Sequence, residues 1–290
     1  MSMDTLQEKI RKTKNPSVLE LAVAPECLPP HLMGEDPAEG YGRFCRELLA
    51  GLKGTVPAVR FSFASFALLG ANGLSELTAT LKEAAAQGYY CVLDAPELLS
   101  PSAAKQAAEA IFGDGGSFPC DGVIVSGYLG SDIFKPFLPC CTQKNKDLFV
   151  VARTANKSAP ELQDLLCGSR LVHAAAADYV SRYGAETAGK YGYTRVGLLA
   201  AASSAESLRT LRKKYPGLFL LLDGYDYPNG SAKTCSYAFD RLGHGAAACG
   251  GTSITCAWAQ AQSDGRDFVE QAAAAAVRMK KNLLRNVTVL

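Results

Sequence analysis

At 290 residues, with 48% hydrophobic and 20% charged side chains, the chain has enough apolar material for a large core and too little charge for disorder. Thirty basic and twenty-eight acidic residues give a formal net charge of +2, with no basic run long enough to follow a phosphate backbone, which sets nucleic acid aside as a partner. No stretch reaches the roughly 18 uninterrupted apolar residues of a membrane span. The opening MSMDTLQEKIRKTKN lacks the apolar centre of a signal peptide, so the expectation is a soluble, cytoplasmic protein with no membrane partner.

In chain order, a helix over about residues 3–13 is expected to close one end of the fold. From residue 18 onward, short β-rich runs alternate with longer, alanine-rich segments of helical period. The predicted strands are VLELAV from Val18, PAVRFSF from Pro57, YYCVLD from Tyr89, DGVIVS from Asp121, DLFVVAR from Asp147, TRVGLLA from Thr194, GLFLLLD from Gly217 and GAAAC from Gly245. Between them lie amphipathic stretches such as GLSELTATLKEAAAQG, SPSAAKQAAEAIFG, SSAESLRTLRKKYPG and DFVEQAAAAAVRMKKNLLRN. Ser100 and Ser204 mark helix starts, and Gly88 and Gly217 follow helix ends. Continuous apolar strands separated by such helices indicate a parallel sheet covered by helices. Eight units without an internal linker predict an α/β protein with a single domain over residues 1–290, a closed (β/α)8 TIM barrel. No G-x-G-x-x-G follows the first strand, which weighs against an open dinucleotide-binding sheet.

Ten cysteines are present, but none forms a C-x-x-C pair, and Cys91, Cys249 and Cys256 lie in apolar segments. In a cytosolic chain they are expected to be reduced small hydrophobes, not a disulfide or zinc framework. No metal and no cofactor is expected.

Barrel enzymes carry their functional groups at the carboxyl ends of the strands. Here those ends offer Glu20 and Ala22, Arg60 and Ser62, Asp94 and Glu97, Ser126, Arg153 with Thr154 and Asn156, Ser203 and Ser204, Asp223 with Tyr225 and Asp226, and Cys249 through Ser253. Arg60 and Asp94 end adjacent strands and are expected within salt-bridge reach, more as a mutually satisfied pair than as a ligand clamp. Asp94, Glu97, Asp223 and Asp226 read either as an acidic cluster for a metal or an amine, or as a solvated rim, the rim being the simpler reading. Cys249 as a nucleophile lacks a partner: His244, five residues earlier, falls about 16 Å away along a strand. His31 and His173 have no motif around them and read as ordinary surface or interface residues.

Three segments, VPAVRFSFASFALLG, DGVIVSGYLGSDIFKPFL and LFVVARTANKSAPELQDL, resemble the orotidine 5′-monophosphate decarboxylase family in its longer bacterial subgroup. The opening KTKNPSVLEL, the helix AESLRTLRKKYP and the turn DGYDYPNGSA extend the resemblance over nearly the whole chain. The resemblance implies a carboxy-lyase of pyrimidine (UMP) biosynthesis, working as a homodimer. Its chemistry would rest on a second-strand lysine and an Asp-x-Lys-x-x-Asp run after the third strand, with the last aspartate reaching the partner's site.

Measured against that pattern, this chain departs at most of the positions that matter. The third-strand run reads Asp94-Ala95-Pro96-Glu97-Leu98-Leu99, so Pro96 stands for the proton-donating lysine and Leu99 for the second aspartate. Arg60 stands for the second-strand lysine and hardly ever gives up a proton. Ala22 replaces the aspartate that would hold the ribose, and Ala155 the serine that would hold the pyrimidine. Asp223-Gly224-Tyr225-Asp226-Tyr227-Pro228-Asn229-Gly230 replaces the glutamine- and glycine-rich phosphate loop, and Thr252 the phosphate arginine. No catalytic set is intact. The substrate-binding candidates are Arg60, Asp94, Glu97, Arg153, Thr154, Asn156, Ser203, Tyr225, Asp226 and Thr252.

The leading expectation is a pseudoenzyme: a homodimeric barrel that has lost decarboxylation and keeps a binding or regulatory role, with room for a small molecule at its mouth. Two alternatives stay open, an enzyme of changed chemistry at the same mouth and a working decarboxylase. An open mouth lined by converging polar groups would favour an enzyme. A mouth filled by Phe61, Tyr225 and Tyr227 would favour a protein without a small substrate.

Overall fold

The computed structural model describes residues 2–22, 25–96 and 100–290. Eight parallel strands close into a barrel: β1 (Ser17–Leu21), β2 (Ala58–Ser62), β3 (Tyr90–Asp94), β4 (Gly122–Ser126), β5 (Asp147–Val151), β6 (Val196–Ala201), β7 (Leu220–Asp223) and β8 (Ala246–Gly250). Each pairs with its neighbours in sequence, and β1 closes the ring on β8 through Ser17 opposite Ala248 and Val18 opposite Cys249. The strands are buried on both faces because helices cover the outside and side chains fill the inside, which is why they read as apolar runs without alternation.

Inside the ring the Phe149 and Phe219 rings meet edge to face at 6.3 Å between centroids. That packing demands small neighbours: a Cβ on Gly197 would come within 2.6 Å of the Phe219 carbonyl oxygen and 3.2 Å of the Phe149 ring. Phe149 and Gly197 stand opposite each other in the β5–β6 register, so the bulk of one strand fits the gap in the next.

The N-terminal helix Ser2–Thr13 lies under the amino ends of the strands, burying Met3, Leu6 and Ile10. Gln7 Oε1 accepts from the Gly245 N–H just before β8, so the helix plugs the bottom of the barrel and leaves the opposite end as the mouth. Helix Pro37–Leu52 starts at Asp36, whose carboxylate accepts from Ala38 N–H, and buries Phe44, Leu48, Leu49 and Leu52. Helix Gly70–Ala86 ends before Gly88, whose φ of +88° closes the turn into β3.

Three expectations need correction. The helix expected to start at Ser100 begins four residues later, at Ala104, because residues 101–103 form turns capped by Ser100 Oγ, which accepts from Ala103 N–H. A two-stranded antiparallel hairpin, Leu166–Cys167 with Arg170–Leu171, follows β5 and was not predicted, since two-residue strands leave no periodic signal. Cys27 and Cys256 form a disulfide with Cα atoms 4.9 Å apart, so not all ten cysteines are reduced. It ties the segment after β1 to the segment after β8, 229 residues apart, across the strand pair that closes the ring. Among the described residues the other eight cysteines are free, and seven of them are buried.

Candidate functional site at the barrel mouth

The register builds the floor of the mouth. Glu20 on β1 and Arg60 on β2 are direct partners across the parallel pair, and Asp94 ends β3 one strand further on, opposite Ser62. The Arg60 guanidinium pairs with three carboxylates: Nη2 with Asp94 Oδ2 at 2.5 Å, Nη1 with Asp223 Oδ1 at 2.7 Å and Nη1 with Glu20 Oε1 at 3.3 Å. Nε adds a second bond to Asp94 Oδ2 at 3.0 Å. The expected Arg60–Asp94 pair is therefore present, inside a larger network that also takes in the ends of β1 and β7.

One arginine against three acids leaves an excess of negative charge in a poorly solvated place. Burial pushes the Glu20 carboxyl up to about 7, against the lowering effect of Arg60 and with further raising by Asp223, Asp94 and Asp226. Burial works against the charge on Arg60, yet Glu20, Asp94 and Asp223 together raise it, so the guanidinium stays protonated. Burial also raises the Cys249 thiol well above its ordinary range, more than Arg60 lowers it, which leaves a packed thiol and no thiolate nucleophile. His244 sits before the start of β8, bonded to the carbonyl of Leu290, at the far end of the barrel as expected.

The loop after β7 turns back over this floor. Gly224 adopts φ +77°, and any Cβ there would come within 2.2 Å of the Ala155 Cβ, so the tight turn needs both the glycine and a small neighbour at 155. The turn delivers Asp226, whose Oδ2 accepts from the Gly251 N–H at 2.8 Å and the Ser253 N–H at 3.1 Å. A carboxylate thus sits on the backbone amides of the loop after β8. Above the floor remains a cavity of about 130 Å³, lined by Glu20, Ala22, Asp223, Tyr225, Asp226, Tyr227, Cys249 and Thr252 among others. Phe61 lies fully buried in the core, and Tyr227 is 50% exposed, so aromatic rings wall the mouth without filling it.

Of the sequence candidates, the structure brings Tyr225, Asp226 and Thr252 to this cavity, with Arg60 and Asp94 beneath it. Arg153, Thr154 and Asn156 do not line it. Arg153 instead makes a two-pronged pair with Asp164, Nε to Oδ1 at 2.9 Å and Nη2 to Oδ2 at 2.8 Å, while Thr154 bonds Gln163 and Asn156. Ser203, partly buried, is also absent from the lining. Glu97 and Leu99 lie outside the described residues, and Pro96 directly precedes them. Glu20 is a site residue that the strand-end candidates for substrate binding do not include, and its signal in the sequence is a lone acid inside the apolar run VLEL. His173 is a second correction. It is buried, not a surface residue, and is held by Gln163, Asp164 and Ser207. Among the described residues no group of acids, histidines and cysteines is arranged to hold a metal, and no helix is long and apolar enough to cross a membrane.

A closed eight-stranded parallel barrel whose charged groups gather at the carboxyl ends of its strands defines a (β/α)8 protein of the enzyme-barrel type. No family model matches the chain. It is 31% identical to the orotidine 5′-phosphate decarboxylase of Rhodopirellula baltica over 213 residues, 72% of this chain and 70% of that protein. The Clostridium novyi orotidine 5′-phosphate decarboxylase is 24% identical over 287 residues, covering 98% of each. In fold, the OMP decarboxylase of Leishmania donovani superposes with a TM-score of 0.76 at 21% identity, over 98% of this chain and 97% of that one. The chain belongs to the orotidine 5′-phosphate decarboxylase family.

Proposed function

We propose that this protein has lost the decarboxylation of orotidine 5′-monophosphate and that its barrel mouth serves a binding or regulatory role without catalysis there, the protein acting as a homodimer. The observation that carries the proposal is the Asp226 carboxylate seated on the Gly251 and Ser253 amides. The family resemblance assigns the position of Thr252 to the arginine that holds the substrate phosphate, and here one of the chain's own anions takes the backbone donors on either side of that position. A phosphate dianion arriving there would meet Asp226 at close range and no arginine, since Thr252 stands in that position.

The rest of the mouth supports the same reading. Arg60 has its donors committed to Glu20, Asp94 and Asp223, and a guanidinium is a poor proton donor in any case. Pro96 has no ionisable group to deliver a proton to a carbanion. A cavity of about 130 Å³ is also below the roughly 300 Å³ at which small-molecule sites begin. Its acidic lining favours a small neutral or cationic ligand over a nucleotide.

Calorimetry with uridine 5′-monophosphate tests the phosphate end directly. The expected result is no binding at millimolar nucleotide. Micromolar affinity would mean that Asp226 swings away to admit the phosphate, and would restore the decarboxylase reading that the relatives' names suggest.

A further inference from the structure

A second cavity, of about 500 Å³, opens in the helical shell between the hairpin after β5 and helix Ala205–Lys214, and shares no lining residue with the mouth. Three of its residues stand in line. Ser207 Oγ lies 3.4 Å from His173 Nε2, and His173 Nδ1 lies 3.2 Å from Asp164 Oδ1. They come from three separate elements: Asp164 ends the short helix Pro160–Gln163, His173 is in the first turn of helix Val172–Gly184, and Ser207 is in the first turn of helix Ala205–Lys214.

We propose that Ser207, His173 and Asp164 form an acyl-transfer site, a serine nucleophile with its base and orienting acid, acting on small carboxylic esters. The hydrogen bonds fix the tautomer that such a site needs. On the Nδ1 side His173 faces two acceptors, the Gln163 carbonyl at 2.9 Å and Asp164, so the ring proton belongs there and Nε2 presents its lone pair to the Ser207 hydroxyl. Asp164 is itself held by both prongs of Arg153, a positioning residue that fixes the carboxylate against the imidazole. Such a constellation is recognised by geometry and roles, in any chain order and on any fold.

The reaction balances within these groups and water. Ser207 Oγ attacks the ester carbonyl carbon as its proton passes to His173 Nε2. The tetrahedral adduct then collapses, the carbon–oxygen bond to the alcohol breaks, and the alcohol leaves with that proton. Water attacks the acyl-serine, gives a proton to Nε2 and releases the carboxylic acid as the proton returns to Oγ. Helix Ala205–Lys214 brings the positive end of its dipole to the reacting serine, and its Ser204 side chain makes no capping bond to the first-turn amides. Ser207 is only 7% exposed and lines the cavity, whose wall also includes Leu166, Leu171 and Ala174. The near-complete burial of Ser207 limits attack to esters with a small acyl group.

The test is labelling of the purified protein with phenylmethanesulfonyl fluoride, read by intact mass and peptide mapping, beside release of nitrophenol from p-nitrophenyl acetate. One adduct on Ser207 is expected, forming faster as pH rises in the manner of an imidazole base. Ser207→Ala should abolish the adduct and the esterase signal, and His173→Gln should slow both by about 100-fold or more. Absence of a Ser207 adduct, or labelling of His173→Gln at the unaltered rate, would overturn the proposal. If His173→Gln fails to fold by circular dichroism, a flat pH profile for labelling of the unaltered protein would overturn it equally.

Discussion

With three carboxylates within 3.3 Å of one guanidinium, the mouth of the barrel depends on Arg60 to offset its negative charge. Removing one partner of a buried ionic network leaves the others uncompensated, which typically costs about 3–5 kcal/mol. Arg60→Met, close in volume and without charge, should therefore lower stability by about that amount in urea unfolding at pH 7, and a loss under about 1 kcal/mol would show that the acids are neutral or solvated. Glu20 gives the network a pH dependence of defined sign. Its folded carboxyl holds a proton up to about 7, whereas the unfolded one releases it near 4.5, so between these values the folded state binds more protons. Stability contributed by Glu20 is fully present below 4.5 and falls as pH rises through 7. Asp164, Asp178 and Asp240, whose carboxyls are lowered, act in the opposite sense and in more acidic solution. Melting temperature should thus decline between pH 5 and 7.5, and Glu20→Gln should flatten that decline. An unchanged slope in Glu20→Gln would place the titration elsewhere.

Among the elements, the strands were legible and their connections only in part. Each of the eight strands overlaps its predicted run, with only Ser17, Ala201 and Gly250 one residue outside it, because a strand buried on both faces has few places for a polar residue. The same reasoning located Arg60 and Asp94, the charges that interrupt such runs at their carboxyl ends. It could not locate what the loops bring back. Asp226 reaches the amides of Gly251 and Ser253 only because Gly224 turns the chain at positive φ, and no spacing in the sequence encodes that return. Arg153 ends β5 as expected, yet the segment after it folds over and claims the side chain through Asp164. Nor does spacing reveal a Cys27–Cys256 pair 229 residues apart, since the two meet only when β1 closes on β8. Alkylation of the denatured protein without reductant should label eight thiols, and with reductant ten. Ten labels under both conditions would mean that the two cysteines stay as thiols.

For the whole molecule, the closed ring with its N-terminal helix plug is a rigid frame, and the sequence at its mouth departs from the pattern of the resemblance at several positions. The fold accommodates such departures because the interior packing around Phe149 and Phe219 does not depend on which side chains stand at the strand ends, provided that the charges there are mutually compensated. The proposed dimer belongs to this scale as well. In the resemblance the segment after β3 reaches the partner, and here it carries Leu99 in place of an acid, so an apolar contact would replace a charged one. Sedimentation equilibrium at micromolar concentration should give twice the 30.7 kDa chain mass, and a monomer would remove that part of the account. The central claim, loss of the ancestral chemistry, is tested most directly by following the ultraviolet absorbance of orotidine 5′-monophosphate with the protein at high micromolar concentration. Losing a single preorganised electrostatic group typically costs roughly 10²- to 10³-fold in rate, and here the proton donor, the second aspartate and the phosphate arginine of the resemblance are all replaced by Pro96, Leu99 and Thr252. The account predicts no substrate loss above the protein-free control. Turnover that co-purifies with the protein through successive columns and disappears in Arg60→Met would contradict it.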